Sequence, residues 1–159
     1  MSAIWLLKTE PDTFSIHDLQ ACPNGTSGWD GVRNYQARNR LRDEMREGDT
    51  VLIYHSSCAV PAIVGEARVV SAPYPDPSQF DADSPGYDQR STHDKPRWYQ
   101  VDIRYLQTYP QVLALKTLRE YAEFADMELV IRPRLSVQKV TERQYQRIQQ
   151  LCLPVGDTA

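Results

Sequence analysis

Five short apolar runs do most to limit what this chain can fold into. They cover residues 3–8, 50–55, 61–70, 98–105 and 135–140. None approaches the length of a membrane span, and each has the size and residue types of a strand. The first, AIWLLK, is unbroken by polar residues and reads as a buried strand that exits at Pro11. In 61–70, alternation assigns Ile63, Gly65, Ala67 and Val69 to one face and Glu66 and Arg68 to the other. In 98–105 it turns Tyr99, Val101, Ile103 and Tyr105 to the core and Trp98, Gln100, Asp102 and Arg104 away. Helices are expected between these runs. One lies near 15–20, capped by Ser15 with Asp18, and one spans 34–46, with Ala37, Leu41 and Met45 as its apolar stripe. A third is capped by Thr117 and runs to about 125. The last starts at Thr141 with Gln144 and docks through Tyr145 and Ile148. Residues 22–31 and the long Pro/Asp/Ser stretch 73–96 read as loops. The pattern implies an α+β chain, a strongly bent sheet or small barrel with peripheral helices. Residues 1–152 form one domain in this reading and 153–159 a flexible tail.

Composition narrows the function classes. The three cysteines, Cys22, Cys58 and Cys152, are far apart and show no metal-ligand spacing, so neither a disulfide framework nor a zinc site is expected. No metal or other cofactor is implied. The N-terminus lacks the basic and apolar regions of a signal peptide, which points to an intracellular protein, cytoplasmic in a prokaryote and nuclear in a eukaryote. The formal net charge of -3 argues against coating nucleic acid through bulk positive charge. The charge is nonetheless uneven. Acids gather in 76–94 and 120–128, arginines in 33–46.

The stretch GWDGVRNYQARN, residues 28–39, carries the most chemistry. Trp29 offers a face for a flat ring, Asn34 an amide for its edge, and Arg33, Arg38 and Arg42 cations for an attached phosphate. The plainer alternative is a glycine turn whose tryptophan plugs the core, an Asn34 helix cap and a solvated arginine stripe. Trp98 and Tyr54 could join Trp29 in an aromatic cage, or Trp98 could pack beneath the 73–96 loop and Tyr54 within the core. Lys8 and Glu10 flank the end of the first strand as a salt bridge or an acid–base pair. His55 and Ser56 suggest a nucleophile, but neighbouring strand residues point to opposite faces, and no nucleophile elbow or phosphate loop is present.

Taken in order, IWLLKTEP, GWDGVRNYQARN, GDTVLIYHS, IVGEARV, GYDQRSTHDKPRWYQVDI and RLSVQKVT resemble the EVE domain family over about residues 3–150. That resemblance implies a PUA-like bent mixed β-barrel with flanking helices. It also implies a module that reads a modified base, such as 5-methylcytosine, 5-hydroxymethylcytosine or N6-methyladenine, in DNA or RNA. The resemblance places the base pocket at Lys8, Thr9, Glu10, Trp29, Arg33, Asn34, Tyr54, Ser56, Trp98, Arg134 and Ser136, with Arg38 and Arg42 at phosphates. Such a module is no enzyme, needs no membrane and acts as a monomer. Related PUA-like ASCH domains keep a second reading open, a small amidohydrolase acting on a modified nucleoside through Lys8 and Glu10.

Overall fold

A computed structural model describes residues 2–154. It contains strands β1 (Ile4–Thr9), β2 (Thr26–Gly28), β3 (Thr50–His55), β4 (Ala62–Val69), β5 (Tyr74–Pro75), β6 (Tyr99–Gln100), β7 (Asp102–Ala114) and β8 (Val137–Val140). The helices are α1 (Ile16–Ala21), α2 (Tyr35–Asn39), α3 (Leu115–Leu118), α4 (Glu128–Ile131) and α5 (Glu142–Cys152). Six strands form one curled sheet in the order β2-β7-β4-β3-β1-β8, and β5 pairs with β6 apart from it. Among the described residues, only β1 and β3 pair in parallel. The expected α+β architecture is what the chain adopts. The expected tail lies, from residue 155 on, outside the described residues.

Both faces of β1 are covered, which is why its sequence does not alternate. Trp5 and Leu7 enter a core with Trp29, Val51 and Ile53. Ile4 and Leu6 enter a second core with Leu52, Tyr54, Phe124 and Ile148. The stripe Ala37, Leu41 and Met45 packs wholly into the first core, as its spacing demands. Its helix starts at Asn34, whose Oδ1 accepts from Ala37 N at 2.9 Å, and widens into a π-turn over Arg40–Glu44. The capping box at Thr141 and Gln144 begins α5, and Ile148 is fully buried there.

The simple alternation assigned to 61–70 fails once, at Val64, an extra residue on β4 between the pairs Ile53–Gly65 and Tyr54–Ile63. Ile63 pairs with Leu113 but Gly65 with Thr108, and the register shifts again between Glu66 and Ala67. That extra residue turns the side chains on its two sides to opposite faces and sharpens the bend. Ile63 therefore lies in the second core while Ala67 and Val69 lie in the first. Glu66, on the face opposite Ala67 and Val69 as assigned, is buried and accepts from Tyr109 OH at 2.8 Å, Tyr145 OH at 3.1 Å and Gln149 Nε2 at 2.8 Å. Burial, then the Glu66 charge, holds the Tyr145 phenol up at about 12. The helix expected from Thr117 instead starts at Leu115 and ends at Leu118, because β7 runs on to Ala114 and leaves no room for a cap at Thr117.

At the bulge, Gly65 has no space for a side chain: a Cβ there would meet Ile16 Cδ1 and the Gln107 carbonyl. Gly65→Ala is expected to destabilise the protein by about 1–3 kcal/mol, read as a lower urea midpoint at unchanged m.

Candidate functional site

The turn after β1 builds one side of a small cavity. The Glu10 carbonyl accepts from Thr13 N and Phe14 N, both at 2.9 Å, which folds the TEPDTF segment back on itself. Thr9 Oγ1 closes the turn by donating to Phe14 O at 2.7 Å. The Trp29 loop forms the other side, fixed to the sheet by Trp29 N donating to Val101 O at 2.8 Å. The Phe14 and Trp29 rings meet edge to face, 6.0 Å between centroids and 78° between planes. A cavity of about 260 Å³ results, lined by Lys8, Thr9, Thr13, Phe14, Ser27, Trp29 and Asp30.

Charge sits at its mouth. Lys8 Nζ donates to Pro133 O at 2.5 Å, and desolvation lowers its pKa. Across the lining, desolvation and then the Asp76 charge raise the Asp30 carboxyl above its ordinary value. Among the described residues, no group of His, Cys, Asp and Glu side chains could hold a metal ion.

Pro133 also lines a neighbouring depression of about 340 Å³, with Asn34, Gln36, Arg132, Arg134 and Leu135. The residues expected to share one pocket are thus divided. Lys8, Thr9 and Trp29 line the aromatic cavity, while Asn34 and Arg134 line the depression beside it. Asn34 is also a helix cap, so its Oδ1 is engaged. Ser136 contributes its carbonyl, which accepts from Lys8 N at 3.1 Å. Ser56 pairs its backbone N with Thr9 O at 2.9 Å. A larger depression of about 680 Å³ beside α5 contains none of the expected site residues.

Several expected pocket residues do other work. Tyr54 belongs to the second core, across the sheet from Trp29, because its parity on β3 matches Leu52. Trp98 is buried beneath the 73–96 loop, donating Nε1–H to Asp88 Oδ2 at 2.8 Å and stacking on Tyr35. No cage of Trp29, Trp98 and Tyr54 is therefore assembled. Arg33 clasps the same loop, reaching Asp76 Oδ2 at 3.0 Å, Ser78 Oγ at 2.9 Å and Gly86 O at 2.7 Å. Glu10 is exposed and does not line the cavity, so it forms no acid–base pair with Lys8 there. His55 Nε2 accepts from Ile16 N at 3.1 Å, anchoring α1 rather than activating Ser56.

Phe14 and Asp30 escaped the sequence reading. A proline-led turn ending in an aromatic residue was the available sign for Phe14. Asp30 was hidden by its more conspicuous neighbour Trp29.

Comparison with known proteins supplies the remaining constraint. The EVE domain model matches residues 3–151. Human thymocyte nuclear protein 1 is 38% identical over 162 residues, covering 91% of this chain and 72% of that protein. The crystal structure of the human THYN1 protein in complex with DNA containing 5-methylcytosine superposes with a TM-score of 0.89 at 38% identity, covering 94% of this chain and 97% of that one. A Pseudomonas syringae protein reaches the same TM-score of 0.89 at 45% identity, covering 94% and 99%. An ASCH protein from Zymomonas mobilis, 9% identical with a TM-score of 0.54, shares the fold alone.

Proposed function

Because the chain belongs to the EVE domain family, we propose that it binds nucleic acid and takes one modified base into the cavity between Trp29 and Phe14. The observation that carries this reading is the cavity itself: two aromatic walls with a cation and a carboxyl at the mouth. The relative bound to 5-methylcytosine DNA supports it.

The physical steps follow from those residues. A base leaves its stack at a cost of a few kcal/mol. Stacking on Trp29 returns about 1–3 kcal/mol. A methyl group pressed against the Phe14–Trp29 corner adds about 0.8 kcal/mol. Lys8 donates to a ring carbonyl or nitrogen, and Asp30 accepts from an exocyclic amine. Asn34, with its oxygen spent on the helix cap, offers only its NH2 to a nucleotide in the adjoining depression. A lone methyl discriminates weakly, by about 1–3 kcal/mol, so preference for the modified strand is modest. The protein works as a monomer, since one cavity suffices for one base.

The test is a binding titration with short single- and double-stranded DNA and RNA. Each carries one 5-methylcytosine, 5-hydroxymethylcytosine, N6-methyladenine or no modification. At least one modified strand is expected to bind about 5–100-fold more tightly than its unmodified counterpart. Equal affinity for every strand would overturn the reading.

A further inference from the structure

A second surface lies on the first turn of α2, outside the cavity. Tyr35 is 47% exposed, yet its ring is held flat against the buried Trp98, 4.8 Å between centroids and 21° between planes. Trp98 is itself clamped, its indole donating to Asp88 and its backbone N to Gln79 Oε1 at 3.0 Å. Two guanidinium groups close around the exposed ring. Arg38 Cζ lies over the ring, 4.9 Å from its centroid, and its guanidinium donates to Arg97 O at 2.6 Å. Arg97 Nη1 donates to Tyr35 OH at 2.8 Å.

Neither arginine has a carboxylate within ion-pair distance among the described residues. The other nearby arginines differ. Arg33 is spent on Asp76, Arg40 on Glu128, and Arg42 on Asp43. Desolvation and then the Arg42 charge depress the Arg38 pKa, as expected where positive charge is crowded and not neutralised. In a chain of net charge -3, a rigid aromatic face edged by two uncompensated cations is an unusual local surface. Its helix begins at Asn34, which lines the depression beside the cavity, and Gln36 of the same turn lines it too. The shelf is therefore next to the proposed base site.

We propose that the Tyr35–Arg38–Arg97 shelf holds the phosphodiester backbone of the strand flanking the captured base. Arg38 and Arg97 each engage a phosphate, and a sugar rests against the exposed edge of Tyr35. The inference rests on the nucleic-acid reading above and extends it to the path of the strand. Flat cations with several donors suit phosphate oxygens, and a ring edge beside them suits a sugar, neither reading sequence.

The experiment compares wild type with the Arg38→Ala/Arg97→Ala double variant on methylated and unmethylated oligonucleotides across a salt series. The double variant should bind both strands on the order of tenfold more weakly at 0.1 M salt, and its log–log salt slope should be shallower by about 1.4–1.8. The ratio between methylated and unmethylated strands should not change, since neither side chain lines the cavity. Arg38→Lys/Arg97→Lys, which keeps the charge, should restore most of the slope and so separates phosphate binding from misfolding. An unchanged slope in a folded alanine variant overturns the shelf, even where methyl preference persists. A shallower slope without any methyl preference in the wild type supports the shelf and sinks the base-reading proposal instead.

Discussion

Trp29→Ala is expected to abolish preference for the modified strand and, in the same step, to remove about 3–5 kcal/mol of stability. Trp29 is only 7% exposed and packs in the first core, so it is a wall of the cavity and a structural plug at once. The two readings of this residue that its sequence left open are therefore not exclusive. An alanine variant alone confounds them, because lost binding could follow from lost folding. Trp29→Leu separates the effects. It keeps apolar volume for the core but removes the flat face, so it should cost less stability while still losing stacking worth about 1–3 kcal/mol. Urea denaturation and strand titrations on both variants read the two quantities. A folded Trp29→Leu protein with undiminished methyl preference would show that the base does not stack on this ring.

Asp76→Ala should cost about 3–5 kcal/mol, although the residue touches no part of the cavity. Its carboxylate is fully buried and accepts from Gly31 N at 2.8 Å, Arg33 Nη1 at 3.0 Å, Ser78 N at 2.8 Å and Ser78 Oγ at 2.6 Å. Removing it leaves the Arg33 guanidinium without its counter-charge beneath the 73–96 loop. It also frees Gly31, whose φ of 83° is tolerable because it has no side chain. The Trp29 loop is then released at its far end, and strand binding should weaken with it. Burial alone would raise the pKa of Asp76, but the bonds from Ser78, Gly31 and Arg33 outweigh it and hold the carboxyl below its usual value. That contribution is fully present above the unfolded carboxylate value of about 3.9 and is lost as pH falls through the lower folded value. The gap in thermal midpoint between wild type and Asp76→Asn should therefore narrow on acidification below about pH 4. A constant gap would mean that the charge of Asp76 contributes nothing.

The sequence was most informative where a single periodicity governs a whole element. Ala37, Leu41 and Met45 announced the face of their helix, and Thr141 with Gln144 announced the start of α5. It was least informative where geometry depends on a partner strand. Nothing in IVGEARV reveals that Val64 bulges out of register with β3, so Ile63 was placed on the face of Gly65, Ala67 and Val69. The site shows the same divide. Trp29, Lys8 and Thr9 meet because they flank turns whose residues are contiguous in sequence. Trp98 and Arg33 are also conspicuous, but their partners Tyr35, Asp76, Gly86 and Asp88 lie ten or more residues away and take them elsewhere. Arginines look alike in a sequence. Whether one is held by Glu128, as Arg40 is, or left facing Tyr35, as Arg38 is, depends on contacts no local pattern encodes.

The placement of β1 between β3 and β8 has a consequence for how the molecule comes into being. Among the described residues the strand made first has the strand made last as a neighbour, Ile4 opposite Val140. A nascent chain therefore leaves one edge of its most apolar segment open until some 140 residues have been made, and the second core must wait for α5. Such long-range pairing slows folding and keeps the unpaired edge adhesive meanwhile.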